Sequence, residues 1–422
     1  MASTSLIKDL KPIILETLKW LGLSAILSVF VGSFGALFLY GLEWAFQTRN
    51  TTPLLIWLLP IGGLLVGLLY YKWGKEVEGG NNLIIQEIIS PTKPISFLMA
   101  PFVLFGTVVT HLFGGSAGRE GTAVQIGASL SNQLSKIFKL NKTDREIVLK
   151  AGVAAGFSAV FGTPLAGTIF SLEVAKIGKA NYQSITASLF SAILSYLVTN
   201  LWGVHHTHYS IKTIGDLNFE NFLWAILAGV IFGLGGIAFS LSTKYSSKAF
   251  KKIKFAPFRP ALGGILFAMI VFGIGYQETE PFHGLGINHI LKSFTADVGN
   301  LDFLIKILLT ALILGSGFKG GEVTPLFFTG ATLGNTLSKF IPLERDLLAG
   351  MGFVAVFSAA ANTPFTTIIM GIELFGSENI YFISIACIVA YIVSGKTGIY
   401  KSQLIAYPKS SKLKEHKNAL ID

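Results

Sequence analysis

GVAAGFSAVFGTPLAGTIFSLE, residues 152–173, returns 200 positions later without a gap as GFVAVFSAAANTPFTTIIMGIE, residues 352–373. Phe157/Phe357, Ser158/Ser358, Thr163/Thr363, Pro164/Pro364 and Glu173/Glu373 are identical. Two small-residue helices match by chance in Gly and Ala, but not in a Thr-Pro and a Glu held in register. Upstream, GASLSNQLSK (residues 127–136) matches GATLGNTLSK (residues 330–339) at a spacing of 203. The sequence therefore reads as a duplication. In membrane proteins such halves pack pseudo-symmetrically, with the binding site between them near the midplane.

The composition points to a membrane setting. Of 422 residues, 51% are hydrophobic and only 13% charged, against about 25% charged in a typical soluble domain. Mean hydropathy is +0.62. A disordered chain, a fibrous protein and a disulfide-rich secreted domain are excluded, and the composition argues against a soluble enzyme, since so few polar groups cannot cover a water-facing surface. Charge-free runs at 20–42, 50–71, 94–118, 151–172, 180–211, 221–243 and 347–372 each reach the ~20 helical residues that cross a hydrocarbon core. The first run is too long, and flows too directly into further spans, to be a cleaved signal peptide.

Shorter apolar runs at 83–90, 121–135, 307–318, 323–338 and 379–395 mostly start beside Gly-rich polar patches. Short, Gly-interrupted segments in corresponding halves point to a transporter's site, because a broken helix survives in lipid only when buried in protein or lining a wet cavity. The expected fold is thus an all-α polytopic membrane protein with two repeats and broken helices. Its expected parts are an N-terminal segment 1–19, repeats at 20–214 and 215–407, and a basic tail 408–422.

The net charge of +10 is not a nucleic-acid signal, since the basic residues lie between apolar runs. Lys244, Lys248, Lys251, Lys252, Lys254 and Arg259 form one cluster; others fall at 136–150 and 409–417. Lys/Arg-rich segments beside spans stay in the cytoplasm, which places both termini and the 244–259 segment inside. Cys387, the single cysteine, sits in an apolar run and reads as a buried inert thiol.

Three patches share one chemistry. Gly118-Arg119-Glu120-Gly121-Thr122 and Gly321-Glu322-Val323-Thr324-Pro325 open repeat-related short helices, and Gly79-Gly80-Asn81-Asn82 opens a third that ends before Pro91. A helix start offers unpaired N–H groups and the positive end of the dipole, which suits an anion. Glycine lets the backbone approach closely. Taken alone, Asn81 and Asn82 also read as helix caps; three patches together favour a converging anion site.

GSAGREGT (residues 115–122), GEVTP (residues 321–325) and the Gly-Ile-Tyr ending at Tyr400 resemble the signatures of the CLC anion transporters and channels. The resemblance covers 20–400 and implies two inverted-topology repeats. Chloride-type members usually carry Gly-Ser-Gly-Ile-Pro where this chain has Gly80-Asn81-Asn82-Leu83. They carry Pro where Thr122 stands and Phe where Val323 stands. The exchangers place a cytoplasm-facing glutamate where this chain has Val174. These departures resemble the fluoride-exporting subclass. No nucleotide-binding regulatory domain is expected after Tyr400, as in prokaryotic members.

The resemblance makes Glu120 the gating glutamate, which occupies the anion path when charged and carries the proton when neutral. An ionisable group inside a membrane chain is in any case a functional candidate; the plainer alternative is an ion pair with Arg119. By the same resemblance Asn81 is the inner gate and Tyr400 the central tyrosine, with an N-cap and an interfacial tyrosine as the alternatives. Asn82, Gly118, Arg119, Gly121, Thr122, Gly321, Val323 and Thr324 complete the expected anion-binding set. Fluoride is small and strongly hydrated, so an Asn amide and an added Thr hydroxyl are suited to replacing its water. Glu322 puts a carboxylate beside the anion, where it is protonated, paired with Lys319, or part of the proton route in place of the missing group at Val174. Glu173 and Glu373 read as structural. His205, His206 and His208 lack nearby Cys, Asp or Glu and read as an exposed loop rather than a metal site.

The function expected is proton-coupled fluoride export across a bacterial cytoplasmic membrane by a homodimer with one pathway per subunit. The alternatives are a chloride/proton antiporter or a passive chloride channel of the same fold. No cofactor and no enzymatic activity is expected: no nucleophile is paired with a His or Lys inside a span.

Overall fold

The computed structural model describes residues 2–421, with side chains from Leu10 onward, so Lys8 of the N-terminal basic group lies outside the described side chains. The first half contains α1 (Ala2–Thr51), α2 (Leu59–Trp73), α3 (Gly80–Ile89), α4 (Met99–Leu112), α5 (Glu120–Ile137), α6 (Lys142–Phe161), α7 (Pro164–Glu173) and α8 (Ile185–Leu201). The second contains α9 (Phe219–Phe250), α10 (Phe258–Ile274), α11 (Tyr276–Thr279), α12 (Ile287–Thr295), α13 (Asp302–Ser316), α14 (Val323–Leu337), α15 (Arg345–Ala361), α16 (Pro364–Phe375) and α17 (Ile380–Val393). Two-residue strands β1 (Lys176–Ile177) and β2 (Leu404–Ile405) pair in parallel and tie the C-terminal tail beneath the first half.

Packing repeats with the sequence. α5 lies on α6 as α14 lies on α15, and α8 lies on α1 as α17 lies on α9. Small residues make these contacts close. A Cβ on Gly127 would strike the carbonyl of Gly152, and one on Gly330 would strike the carbonyl of Gly352. The repeated glycines are therefore the α5/α6 and α14/α15 crossing points.

The relation between the halves is fixed by a pair of exchanged caps. Glu173 ends α7, and its carboxylate accepts from the Phe365 and Thr366 amides (3.2 and 3.0 Å) and the Thr366 hydroxyl (2.8 Å) at the start of α16. Glu373 returns the contact to the Leu165 and Ala166 amides (2.8 and 2.7 Å) at the start of α7. Each helix ends where the other begins, so α7 and α16 run antiparallel about a two-fold axis perpendicular to them. That is an inverted repeat. A carboxylate at a helix N-terminus also complements the dipole. Glu173 is buried at 7% exposure. Glu173→Ala should strip the charge-assisted acceptor from two amides and cost about 2–4 kcal/mol, read as a lower thermal midpoint in detergent. Glu173→Gln should recover part of it.

Two readings of the spans change. Residues 151–172 and 347–372 are not continuous helices; each breaks at its Thr-Pro. Pro164 and Pro364 stand at N1 of α7 and α16, and the chain turns through left-handed Gly162 (φ 82°) and Asn362 (φ 57°). Proline lacks the N–H for the preceding helix and disfavours helical backbone before it. The 94–118 run yields only the 14-residue α4, because Gly114 (φ 82°) and the following glycines leave the helix. Lys244 and Lys248 are not in a loop but on the last turns of α9. Among the described residues four helices are long and apolar enough to cross a membrane, and α10 with the segment up to Phe282, bent by 119°, is apolar enough for a fifth when the two are taken as one broken span.

Both ends of the described chain lie on one face. Lys19 on α1 pairs with Asp144 at the start of α6 (2.5 Å), and Asn181 beside β1 donates to Glu146 (3.1 Å). On the opposite face the Tyr40 hydroxyl donates to the Trp202 carbonyl after α8 (2.5 Å). Lys409 anchors the tail through the Asn362 side chain (2.6 Å), the Tyr391 carbonyl (2.6 Å) and the Ser394 hydroxyl (2.7 Å). Burial pushes its ammonium down to about 7.

Candidate functional site

The Gly118 and Gly321 patches meet back to back. Gly118 and Gly321 exchange backbone hydrogen bonds, Gly118 N to Gly321 O at 2.6 Å and Gly321 N to Gly118 O at 2.7 Å. The contact requires glycine on both sides. A Cβ on Gly321 would sit 2.9 Å from the Gly121 nitrogen, and one on Gly118 would sit 2.8 Å from Pro325. The N-termini of α5 and α14 are thereby brought together at the centre of the molecule.

Glu120, the first residue of α5, is 1% exposed. Its carboxylate reaches across the repeat boundary and accepts the Thr324 amide (3.1 Å) and the Thr324 hydroxyl (2.7 Å). It also accepts its neighbour's amide, Arg119 N, at 3.2 Å. The Arg119 guanidinium forms an ion pair with it, without a hydrogen bond. Its Nε stands 3.7 Å from the carboxylate and has no hydrogen bond among the described residues. The Glu120 carboxylate thus occupies an anion's position at the N-terminus of α14, on donors that any small anion can use.

The two asparagines separate. Asn82 Oδ1 accepts the Ser402 amide at 3.0 Å and so holds the segment carrying Tyr400. Asn81 does not cap α3, and its Oδ1 is buried without a partner among the described residues. Its amide lies against Gly121 at the start of α5, where an added Cβ would be 2.8 Å from Nδ2. Gly80 just before it is left-handed (φ 54°), a turn that glycine makes without strain. Tyr400 is 3% exposed, sets its ring edge-on to Phe170 at 6.3 Å, and lies within electrostatic reach of both Glu322 and Glu120. It is packed inside the molecule, not at an interfacial belt.

Other members of the expected set frame the site rather than face it. The Thr122 hydroxyl is joined to the Thr107 hydroxyl at 2.7 Å, and the Gly118 and Gly321 amides are engaged with each other. Val323 is the first residue of α14 and is buried. Glu322 is the N-cap of α14, half-buried, with no side-chain cap bond. It is not paired with Lys319, whose ammonium instead lies over the Tyr70 ring at 3.9 Å and feels Glu78. The cation that Glu322 feels is Lys401, which itself faces Lys251 and Lys244. Lys401 was missed from sequence although it follows Tyr400 directly. His206 bonds the Ala159 carbonyl (3.1 Å) and packs on Tyr196, while His205 and His208 are exposed.

A pair of inverted repeats that press two helix N-termini and a carboxylate together defines an anion-transport membrane protein. The chain belongs to the family described as voltage gated chloride channel, which matches residues 62–395. It is 48% identical over 395 residues to a chloride/fluoride channel protein of Pseudomonas syringae pv. tomato, covering 93% of this chain and 87% of that one. Over 378 residues it is 26% identical to an H(+)/Cl(-) exchange transporter of Yersinia pestis, covering 83% of this chain and 79% of that one. Among solved structures, a CLC-type fluoride/proton antiporter superposes with a TM-score of 0.87 at 36% identity, covering 92% of this chain and 98% of that one. A slow cyanobacterial Cl-/H+ antiporter, at 19% identity and a TM-score of 0.77, shares the fold.

Asn81→Ser shortens the side chain and replaces an amide with a hydroxyl beside Gly121. The expected result is a rise in chloride flux relative to fluoride, measured side by side in reconstituted vesicles. Asn82→Ala should leave the ratio unchanged and lower stability by about 1 kcal/mol, the worth of the bond to Ser402.

Proposed function

We propose that the protein is a proton-coupled fluoride exporter, exchanging fluoride for protons across a bacterial cytoplasmic membrane. The observation that carries this reading is the Glu120 carboxylate on the Thr324 amide and hydroxyl. The carboxylate and a fluoride ion compete for the same donors, so one excludes the other. Protonation makes the carboxyl a weaker acceptor and frees Thr324 for the ion; departure of the ion lets the ionised group return. Coupling follows from this competition alone. Fluoride needs strong donors in place of its water, and the Thr324 N–H and O–H, the Asn81 amide and the Tyr400 hydroxyl supply them from uncharged groups. Arg119, Gly121 and Val323 shape the space, and Gly118, Thr122, Gly321 and Asn82 hold it. Glu322, beside Lys401, passes protons on the side of the termini.

The likeness to a chloride/fluoride channel protein and to a CLC-type fluoride/proton antiporter supports fluoride as the ion. The basic residues on the face of the termini, Lys244, Lys251 and Lys401 among them, support a cytoplasmic position for that face. The two repeats, 20–214 and 215–407, act as one pathway, and the working unit is a homodimer. The test is flux from vesicles loaded with fluoride or chloride, with internal pH followed at the same time. Fluoride efflux that drives protons inward is expected. Chloride carried equally well favours the chloride/proton antiporter, and fluoride movement without protons favours a channel.

A further inference from the structure

On the face opposite the termini is a cavity of about 370 Å³ lined by His208, Ser210, Lys212, Lys292, Phe294 and Asp346 among others. It is electropositive. Lys212 and Lys292 both belong to it, whereas its one carboxylate, Asp346, is held by the Lys212 and Thr213 amides (2.7 and 3.0 Å) at the start of α15. His208 and Ser210 are exposed, but Tyr209 between them turns inward and is 6% exposed. Its ring lies 4.9 Å from that of Phe353 and 6.3 Å from that of Phe294, which lines the cavity. Phe353 in turn stacks at 4.1 Å on Phe327 of α14, the helix whose first turn holds Glu120. On its inner side Tyr209 is within electrostatic reach of both Arg119 and Glu120.

We propose that this cavity is the outer mouth of the anion route and that Tyr209 is the side chain that closes it over Glu120. The proposal rests on the transport function above and adds the residue that gates its exit. An exit lined by Lys212 and Lys292 gathers small anions, because opposite charge concentrates them locally. Tyr209 separates that mouth from the carboxylate with an apolar ring, so anion and proton pass only when the ring moves.

Two measurements test it. The first compares Tyr209→Ala with Tyr209→Phe in vesicles, with fluoride and chloride followed side by side, so that the gate is readable on whichever halide the wild-type protein carries. Tyr209→Ala should raise anion flux several-fold and lower the number of protons moved per anion; Tyr209→Phe, which keeps the ring, should match wild type. Tyr209→Leu replaces the alanine variant if that one does not fold. A folded Ala or Leu variant with unchanged flux and unchanged coupling overturns the gate. The second measurement does not depend on transport. Cys387 is fully buried, so Ser210→Cys supplies the reactive thiol at the rim. Anionic thiosulfonate applied from that side should label it several-fold faster than a cationic reagent of the same size, and Lys212→Glu with Lys292→Glu should reverse the order. Equal rates for the two reagents overturn the electropositive mouth. A wild-type protein that carries no fluoride but keeps the labelling preference overturns the choice of ion and leaves the mouth standing.

Discussion

Glu120→Gln should reduce proton movement to the level of protein-free vesicles. Glutamine has nearly the size of the protonated carboxyl but does not titrate, and linked movement needs a site that alternates between two states. In the wild-type protein the side chain of Glu120 sits on the Thr324 amide and hydroxyl. The amide oxygen of Gln is a weaker acceptor, so the α14 N-terminus is left open to the ion. Anion movement therefore either stops or continues without protons, and both results agree with the assignment. Proton flux and anion flux measured on the same vesicles decide it. Normal coupled exchange in this variant removes Glu120 from the gate.

Glu322→Gln should slow proton-coupled export by about 100-fold, the lower end of what a positioned proton-transfer group contributes, while fluoride binding measured by calorimetry is largely kept. Glu322 caps the helix that holds Glu120's donors, is half-buried, feels Lys401 and lies within electrostatic reach of Tyr400. It stands on the side of the termini, where the chain has Val174 in place of a second carboxylate. Lys401→Met should alter the rate in the same assay, since it withdraws the cation that Glu322 faces. Lys319→Met should leave coupling intact and reduce only stability, because its contact is the Tyr70 ring. Full proton flux in a stable Glu322→Gln protein would falsify the relay.

Much of the fold was legible because duplication writes it twice. The 152–173 and 352–373 segments mark the duplication, and the Gly-rich patches mark where α3, α5 and α14 begin. What was misread is local backbone. A Thr-Pro inside an apolar run has the composition of a span, yet Pro164 and Pro364 start new helices after left-handed Gly162 and Asn362. Glu322 and Lys319 are three apart, which suggests a pair only on a helix; Gly320 at φ 159° lies between them and sends the two side chains apart. The rest was out of reach because it is long-range. No spacing rule links Glu173 to Phe365, Asn82 to Ser402, or Tyr209 to Arg119 and Glu120. Of the two asparagines, only packing shows that one is spent on the backbone and the other is not.

The paired amides of Gly118 and Gly321 have a mechanical consequence. Two hydrogen bonds of 2.6 and 2.7 Å clamp the halves to each other beside the proposed ion site. Parting the tips of α5 and α14 costs both bonds, about 1 kcal/mol net each and more where the freed amides find no other partner. Swinging one half against the other, the usual way for a duplicated carrier to face first one side and then the other, would have to tear this clamp in every cycle. The moving parts are then the side chains around it, Glu120 foremost, and the machine works less like a rocking clamshell than like a turnstile mounted in a rigid frame.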